Sequence, residues 1–493
     1  MNNSMNRAIL VTLAVFLICG CAGQRPIHTE DGAEAGTNRT GHLVARRSAA
    51  VAQGGMLLAR SIPVDPINRP VSNIMSLSSY ALKSATGFLQ RVAIGTAQFP
   101  TLETRPIPGV SSADSMDLDS FETYLDRLTG RESSQGTIKF LVDGEAYFTR
   151  MEQAMRDARE SIDVRTYIFD NDDYAVSVAN LLKDKSTEVD VRVTIDGLGN
   201  LMAMQTDPQS MSGSFEAPLS IEQYLEQGSA VRVRTLSNPW LTGDHTKTTI
   251  IDREIAFIGG MNIGREYRYE WHDLMMEVRG PIVDQLQFDM DKAWARAGVF
   301  GDVANFFEFL SGMNRRASEE GYPVRALYTR NFDSQIHRAQ LEAIRRARAY
   351  ILIENSYFSD DATLFELARA RRRGVDVRVI LPADGNHGSH AASNAVAINK
   401  MLRNGIRVYR YPGMTHVKAA VIDGWASVGT ANFDKLSLEV NKEVNLATSH
   451  APAVNQLLAR VFMPDLAVST EITQMVNVTL PDRVMEVIVD EVL

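Results

Sequence analysis

The sequence predicts an α/β protein made of two related halves, each with a mixed sheet covered by helices. Helix-like and strand-like patterns alternate along most of the chain, which is typical of this fold class. The pentapeptide Val-Asp-Val-Arg-Val occurs at residues 189–193 and again at 375–379, in the same place of the alternation. A strand that carries His-x-Lys also occurs once in each half. With 45% hydrophobic and 23% charged residues, the chain can bury a large core.

The N-terminus is predicted to direct export. Arg7 precedes an apolar run over residues 8–19, which is shorter than the roughly 20 residues of a membrane-spanning helix. The run ends in Ile-Cys-Gly-Cys, which resembles a bacterial lipobox. We therefore expect a signal peptide over residues 1–20 and lipidation of Cys21. The residue after Cys21 is not the aspartate that retains many lipoproteins in the inner membrane, which favours a periplasm-facing anchor in the outer membrane. A cleaved signal without lipid is the alternative.

Residues 21–70 lack apolar periodicity and are expected to form a tether. Residues 71–135 are expected to form a helical extension, whose first helix carries an apolar stripe at spacings of three and four. Its polar face holds only Lys83 and Arg91 as charges, fewer than an interfacial helix usually has. We therefore expect the stripe to pack on the body of the protein rather than on a membrane surface. The stripe consists of Ile74, Leu77, Ala81, Ala85, Phe88 and Val92.

The duplication assigns residues 136–310 to a first repeat and 320–480 to a second, with 481–493 as a C-terminal tail. In each copy a helix, a strand and a second helix lead to the pentapeptide strand. Each copy then has a helix that ends in glycine, a short strand and the histidine strand. Matching motifs in the two copies are therefore expected to lie at corresponding places in space.

The two histidine strands carry the chemistry. The first reads HTKTTIIDREIAFIGGMN and the second HVKAAVIDGWASVGTAN. Residues two apart on a strand project to the same face, so each histidine projects together with its lysine. The corresponding pairs are His245 and Lys247, and His416 and Lys418.

Both strands resemble the HxKxxxxD motif of the phospholipase D superfamily, followed by its Gly-x-x-Asn turn. The resemblance covers most of residues 136–475 and implies two pseudo-symmetric phospholipase D-like α/β sandwich repeats with the active site at their interface. Gly260 stands where many members have serine, and this Gly-Gly-x-Asn form resembles the cardiolipin synthases. Asp252 and Asp423 complete the motifs and belong to the catalytic set by resemblance. We expect them to act structurally, by pairing with nearby basic groups.

Two further acids occupy matched positions. Asp273 lies 28 residues after His245 (273 − 245) and Glu443 lies 27 after His416 (443 − 416). The one-residue difference equals the shorter gap between Asp and Gly in the second motif. By resemblance to the family, these acids hydrogen-bond one imidazole nitrogen and fix the tautomer of the other.

These residues fit chemistry on a phosphodiester. Such a substrate is anionic, so fixed donors must offset its charge: the two lysines as point charges, with Asn262, Asn432 and Thr430 as further substrate-binding groups. We expect His245 to attack phosphorus, following family precedent, and His416 to protonate the departing oxygen. One imidazole must then be neutral and the other charged, so activity should be bell-shaped in pH.

No metal or other cofactor is expected. The two cysteines lie at the N-terminus, and His387-x-x-His390 has no acidic partners nearby. Other histidines look like surface residues, namely His28, His42, His337 and His450.

Three functions remain open on these grounds. The first is a phosphatidyltransferase of the cardiolipin synthase type, and the second is a phospholipase D or phosphodiesterase in which water accepts the phosphoryl group. The third is a catalytically idle envelope lipoprotein that binds lipid. A phospholipid substrate and a membrane surface are the expected partners. Nucleic acid is not expected, because the net charge is −9 and superfamily nucleases often carry one motif per chain.

Overall fold

A computed structural model describes residues 64–203, 215–236, 242–312, 320–384 and 388–481 and a few isolated positions before residue 64. The predicted signal peptide, the lipidation site at Cys21, most of the tether and nearly all of the C-terminal tail lie outside the described residues. Histidines 28, 42 and 387 lie outside them too. Within the described residues, no helix combines the length and the apolar character that crossing a bilayer requires.

The strands follow the predicted duplication. The first repeat contains β1 (Ser134–Val142), β2 (Ser161–Thr166), β3 (Asp190–Asp196), β4 (Arg232–Leu236), β5 (Thr248–Ile251), β6 (Ile255–Gly259) and β7 (Leu274–Arg279). The second contains β8 (Tyr322–Arg330), β9 (Asp333–Ser334), β10 (Tyr350–Asn355), β11 (Asp376–Pro382), β12 (Arg407–Tyr411), β13 (Lys418–Ile422), β14 (Trp425–Gly429), β15 (Glu443–Thr448) and β16 (Thr470–Ile472).

Among the described residues, four helices form the N-terminal extension, and the remaining helices belong to the two repeats. The N-terminal extension contains α1 (Val64–Asn68), α2 (Pro70–Val92), α3 (Phe99–Glu103) and α4 (Leu118–Thr129). The first repeat adds α5 (Asp143–Asp157), α6 (Asp173–Lys185), α7 (Gly197–Ala203), α8 (Ile221–Glu226), α9 (Arg265–Tyr269), α10 (Ile282–Ala297) and α11 (Gly301–Ser311). The second adds α12 (Gln335–Arg346), α13 (Asp361–Arg372), α14 (Gly388–Arg403), α15 (Ala451–Leu457) and α16 (Met463–Val468), and π-helical turns occur at Ala93–Gln98, Leu436–Val440 and Leu458–Phe462.

The two repeats have the same strand order, which confirms the predicted pseudo-symmetric α/β fold. From its outer edge the first sheet runs β4-β3-β2-β5-β6-β7-β1, and the second runs β12-β11-β10-β13-β14-β15-β8, with β16 added beside β12. The pentapeptide strands β3 and β11 pair in parallel with β2 and β10, while the histidine strands β5 and β13 pair antiparallel with them. Both sheets are therefore mixed.

The repeats share one continuous sheet, whereas the duplication in the sequence predicted a separate sheet in each repeat. Strands β1 and β8 pair antiparallel, with Ser134 opposite Val324 and Gly136 opposite Tyr322. One hydrophobic cluster also draws buried side chains from both repeats, such as Met276 and Val417. Because edge pairing and a shared core join the two halves, the histidine strands are held in a fixed relation.

The extension packs in two ways. Phe121 of α4 is fully buried, with its ring edge-on to Trp425 at 5.3 Å, and joins the core of the second repeat. Helix α2 differs: its polar Ser76 and Ser79 are buried, while Ile74 is 66% exposed and Phe88 56% exposed. All six residues of the predicted apolar stripe are exposed. The expectation that this stripe packs on the body of the protein is therefore wrong.

Candidate active site

The fold brings the two predicted histidine motifs together. His245 lies just before β5, and its segment runs parallel to the segment that precedes β15 of the second repeat. His416 lies just before β13, and its segment runs parallel to the segment that precedes β7 of the first repeat. The main-chain N–H of His245 donates to Lys442 O at 3.0 Å, and that of His416 donates to His272 O at 2.7 Å. Each histidine is thus positioned by backbone from the opposite repeat.

The predicted acids pair with the histidines across the interface. Nδ1 of His245 lies 2.8 Å from Oε1 of Glu443, and Nδ1 of His416 lies 2.7 Å from Oδ2 of Asp273. Both carboxylates are fully or almost fully buried. Each bond occupies Nδ1, which leaves Nε2 as the nitrogen for chemistry. The sequence predicted the acids but not that each would serve the histidine of the other repeat.

The two motifs support their acids differently. Thr430 is fully buried, and its hydroxyl donates to Oε2 of Glu443 at 2.5 Å and accepts from the N–H of Val444 at 3.0 Å. The structure thus places Thr430 behind the acid, where it positions Glu443, rather than in the predicted role of substrate contact. Gly260 occupies the same place in the first motif, and a Cβ there would overlap the carboxylate of Asp273. The glycine therefore makes room for the acid.

The two lysines lie inside the site. Lys247 is 1% exposed and Lys418 is 2% exposed. Nζ of Lys247 donates to His245 O at 2.9 Å, and Nζ of Lys418 donates to His416 O at 2.7 Å and to Ser356 Oγ at 3.3 Å. Of the three N–H groups of each ammonium, these bonds leave two on Lys247 and one on Lys418 to offer a phosphate oxygen.

Both predicted asparagines are buried at the site. Oδ1 of Asn262 accepts from the N–H of Ile168 at 3.0 Å, which orients its amide. Oδ1 of Asn432 has no hydrogen-bond partner among the described residues. The two amides are therefore held in different ways, although their sequence positions match.

Asp252 and Asp423 are structural. The carboxylate of Asp252 accepts from the N–H groups of Arg159, Glu160 and Ser161 at 2.7–3.1 Å. Asp423 accepts from the N–H groups of Arg348, Ala349, Tyr350 and Met116 at 2.7–3.3 Å. These acids anchor the starts of β2 and β10. They bind main-chain amides rather than the predicted basic side chains, and their place in the catalytic set is corrected accordingly.

Burial and the lysines set the electrostatics of the site. Burial, with the charges of Lys247 and Lys418, holds the pKa of His245 well below its usual value, and the same groups lower the pKa of His416. Burial lowers the pKa of Lys247 to about 7 and that of Lys418 to about 8. Because both lysines act on both histidines, the four groups lie close together, and an anion bound there would interact with both ammonium groups.

Two polar networks support the dyads, and neither was predicted. Behind His245, Arg165 binds Asp244 at 2.8 Å and Asp289 at 2.7 Å. Behind His416, His272 lies 2.6 Å from Asp143 and 3.1 Å from Asp465. These acids outweigh the burial of His272 and raise its pKa to about 11. In the sequence only Asp244 and His272 are next to motif residues, and their partners lie in distant segments that carry no motif.

Two further clusters could hold a cation by composition. Ligand atoms of His272, Glu354 and Asp465 lie within 4.8 Å of one another, as do those of His337, Asp360 and Glu439. His337 is buried and bonds Asp360 at 3.1 Å, so its assignment to the surface is wrong. In each cluster the imidazole already bonds a carboxylate, and the pKa of His337 is raised to about 10 by these acids against burial. A protonated imidazole accounts for both arrangements.

A cavity of about 730 Å³ lies beside the first dyad. Its floor includes Glu443, Asp244, Arg165, Arg296 and Lys442, and its outer part is lined by apolar side chains of α2 and α11. The cavity therefore borders the acid of the first dyad, and an apolar wall meets charged side chains there.

Two repeats of this order, with paired His-Lys motifs at their junction, define a two-repeat protein of the phospholipase D class. A sequence profile described as "Cardiolipin synthase, PLD-like domain" matches residues 151–294 and 341–465. The chain belongs to this family.

Individual relatives agree. The chain is 30% identical over 344 residues to cardiolipin synthase A of Pseudomonas entomophila, covering 66% of this chain and 68% of that one. It is 27% identical over 358 residues to cardiolipin synthase 1 of Bacillus cereus, covering 70% and 69%. The structure of phosphatidylserine synthase from Haemophilus influenzae aligns with a TM-score of 0.57 at 12% identity, covering 76% of this chain and 99% of that one. That likeness shows the shared fold.

Proposed function

We propose that the chain is a phosphatidyltransferase of the cardiolipin synthase type, which joins two phosphatidylglycerol molecules and releases glycerol. The observation that carries this proposal is the crossed pair of dyads, His245 with Glu443 and His416 with Asp273, around two buried lysines. Two imidazoles held by acids can divide the roles of nucleophile and general acid. Two fixed cations offset the charge of the diester.

The reaction has two displacements at phosphorus. In the first, Nε2 of His245 attacks, the bond from phosphorus to the glycerol oxygen breaks, and His416 gives its proton to that oxygen. In the second, a hydroxyl of another phosphatidylglycerol attacks and His416 takes its proton. The N–P bond then breaks and His245 is regenerated. Lys247 and Lys418 hold the nonbridging oxygens throughout.

Labelled phosphatidylglycerol tests this function. Purified protein should convert it to cardiolipin and free glycerol in equal amounts. Phosphatidic acid in place of cardiolipin would show that water is the acceptor and would support the hydrolase. Absence of any product, under conditions where a known cardiolipin synthase turns over, would contradict the assignment and favour a lipid-binding lipoprotein.

The order of the histidines has its own test. A phosphohistidine survives alkaline quenching, so protein incubated with phosphate-labelled phosphatidylglycerol should retain label on His245. His245→Asn should abolish this label, whereas His416→Asn should slow turnover yet still allow labelling with a substrate whose leaving group needs no proton. Label that persists in His245→Asn and disappears in His416→Asn would reverse the roles.

We also propose that Cys21 is lipidated and anchors the chain in the bacterial envelope. The anchor is proposed to lie in the outer membrane, with the protein facing the periplasm. The Ile-Cys-Gly-Cys sequence supports this. Cells fed labelled palmitate should label the protein and not the Cys21→Ser variant. Equal labelling of both would contradict the anchor.

A further inference from the structure

Helix α2 turns its apolar stripe away from the protein. Ser79 accepts from the N–H of Phe332 at 3.0 Å, Ser76 accepts from Asn331 at 2.8 Å, and Lys83 donates to Arg330 O at 3.2 Å. These contacts fix the polar face of the helix against the second repeat. The opposite face exposes large apolar side chains at 41–66% of their surface: Ile74, Leu77, Leu82, Phe88, Leu89 and Val92.

Helix α11 extends this apolar surface. Its sequence, GDVANFFEFLS, has two charges, Asp302 and Glu308. Asp302 accepts from the N–H groups of Val71 and Ser72 at 2.8 and 3.1 Å, so it joins α11 to the start of α2. Large apolar side chains on α11 and just before it are 54–72% exposed: Val299, Phe300, Val303, Phe306, Phe307, Phe309 and Leu310. Soluble proteins rarely expose apolar patches beyond a few hundred Å², and larger ones mark binding surfaces.

The cavity beside the first dyad lies between these helices. Phe306, Phe307 and Val71 line its outer part, while Lys442, Lys292 and Arg296 lie deeper. Burial lowers the pKa of Lys442 to about 8, and Nε of Arg296 has no hydrogen-bond partner among the described residues. Six basic and five acidic side chains of the described residues line the cavity, so cations are in slight excess. An apolar rim above such a charged cavity is complementary to an anionic amphiphile, with acyl chains at the rim and the headgroup below.

We propose that α2 and α11 together form a membrane-binding surface, and that its occupant is a bilayer containing anionic phospholipid. The inference rests on the proposed function, because a phospholipid substrate resides in a bilayer and must enter the site from it. Two features favour a bilayer over a protein partner: the patch borders the cavity that reaches Glu443, and α1, which leads into α2, begins 43 residues after the predicted anchor at Cys21 (64 − 21). Aromatic and aliphatic side chains on such a surface insert at the level of the headgroups.

Site-specific fluorescence tests the surface in the full chain. With Cys19 and Cys21 replaced by serine, a single cysteine at Phe88 or Phe307 carries an environment-sensitive label, and Met475, which is 57% exposed, provides the control position. Vesicles of phosphatidylglycerol and phosphatidylcholine should shift the emission to the blue at 88 and 307 but not at 475. Spin-labelled lipids should quench the fluorescence of the labels at positions 88 and 307. Equal responses at all three positions would overturn the proposal.

The same labels distinguish other occupants. If positions 88 and 307 are already shielded before vesicles are added, a second copy of the chain or its own N-terminal segment covers the patch, and the proposal fails. Phosphatidylcholine vesicles without phosphatidylglycerol should give a weaker response, because the cavity favours an anionic headgroup.

A matched variant separates membrane binding from catalysis. Phe88→Ser, Leu89→Ser and Val92→Ser combined remove apolar side chains that do not line the cavity, and Val468→Ser is the control at an exposed apolar position elsewhere. The triple variant should bind vesicles at least about tenfold more weakly, a loss of roughly 1.4 kcal/mol, and should turn over vesicle substrate correspondingly more slowly. Turnover of a short-chain, water-soluble phospholipid should not change.

The two proposals can fail separately. Unchanged vesicle binding by the triple variant would contradict the membrane surface, whatever the reaction is. Lack of turnover of the soluble substrate by every form, with normal label insertion, would contradict the proposed reaction and leave the surface intact.

Discussion

Glu443 of the second repeat lies 2.8 Å from Nδ1 of His245 in the first, and Asp273 repeats this relationship in reverse with His416 at 2.7 Å. Each half of the molecule thus supplies one imidazole and the acid for the other imidazole. Neither repeat can form a complete dyad alone. The shared sheet through β1 and β8 is therefore part of the site, because it keeps each acid in register with its distant histidine.

Removing either acid should reduce turnover without dismantling the fold. Glu443→Gln and Asp273→Asn keep the shape of each side chain but can stabilise the wrong imidazole tautomer, which costs about 10²–10⁴-fold in kcat for comparable dyads. Both kcat and circular dichroism should be measured, with Glu132→Gln, at an exposed position away from the site, as a charge-matched control. Near-normal kcat in both variants would contradict the role assigned to the acids.

The sequence predicted these acids but could not predict their crossing. Matched offsets of 28 and 27 residues place Asp273 and Glu443 in corresponding positions, and a pseudo-twofold arrangement permits pairing within or between repeats. The choice depends on how the two sheets dock, which involves β1 and β8 far from the motifs. The stripe on α2 shows a similar limit. Its periodicity predicted a helix with an apolar face, but it could not show whether that face packs on the rest of the protein or is exposed.

Residues 260 and 430 should not be interchangeable. Thr430→Val removes the hydroxyl that donates to Glu443, so we expect kcat to fall by about tenfold, in line with the 0.5–1.5 kcal/mol of an ordinary hydrogen bond. Thr430→Ser should restore most of it and keep the pH profile. A valine variant with normal kcat would contradict the positioning role of this hydroxyl.

Gly260→Thr should be more damaging than Thr430→Val. The new Cβ would overlap the carboxylate of Asp273 and push it away from His416. We expect kcat to fall as far as in Asp273→Asn, with Gly109→Thr as a control for glycine replacement at an open surface position. Crystallography of the variant should show a displaced Asp273, and an unmoved carboxylate with full activity would refute this account.

The pH dependence should be set on its alkaline side by the lysines. An ammonium loses its charge as the pH rises through its pKa, and the pKa values of Lys247 and Lys418 are lowered to about 7 and about 8. Therefore kcat/KM should fall above about pH 7–8. The acidic limb should lie below pH 6.5, because the pKa of His245 is lowered and this imidazole stays neutral there. The pKa of His416 is lowered as well, and a bound phosphodiester should raise it by offsetting the charges of Lys247 and Lys418, so that His416 carries its proton in the complex. Bound phosphodiester raises the lysine pKa values, so the alkaline limb of kcat should lie higher than that of kcat/KM.

Asp423 should matter for stability more than for chemistry. Its carboxylate accepts from four main-chain N–H groups, three of which belong to consecutive residues that lead into β10. Its φ of 48° places it in a turn that suits Asp or Asn. Asp423→Ala leaves these buried donors without an acceptor, which costs on the order of 1–3 kcal/mol for each group that water cannot reach. Thermal unfolding should therefore occur at a clearly lower temperature. Asp423→Asn keeps one acceptor oxygen and should lose less stability.

At a temperature where both variants are folded, kcat should stay within about tenfold of the parent, because the carboxylate binds the backbone rather than the substrate. A loss of kcat as deep as that of His416→Asn, in a variant with parental stability, would return Asp423 to the catalytic set.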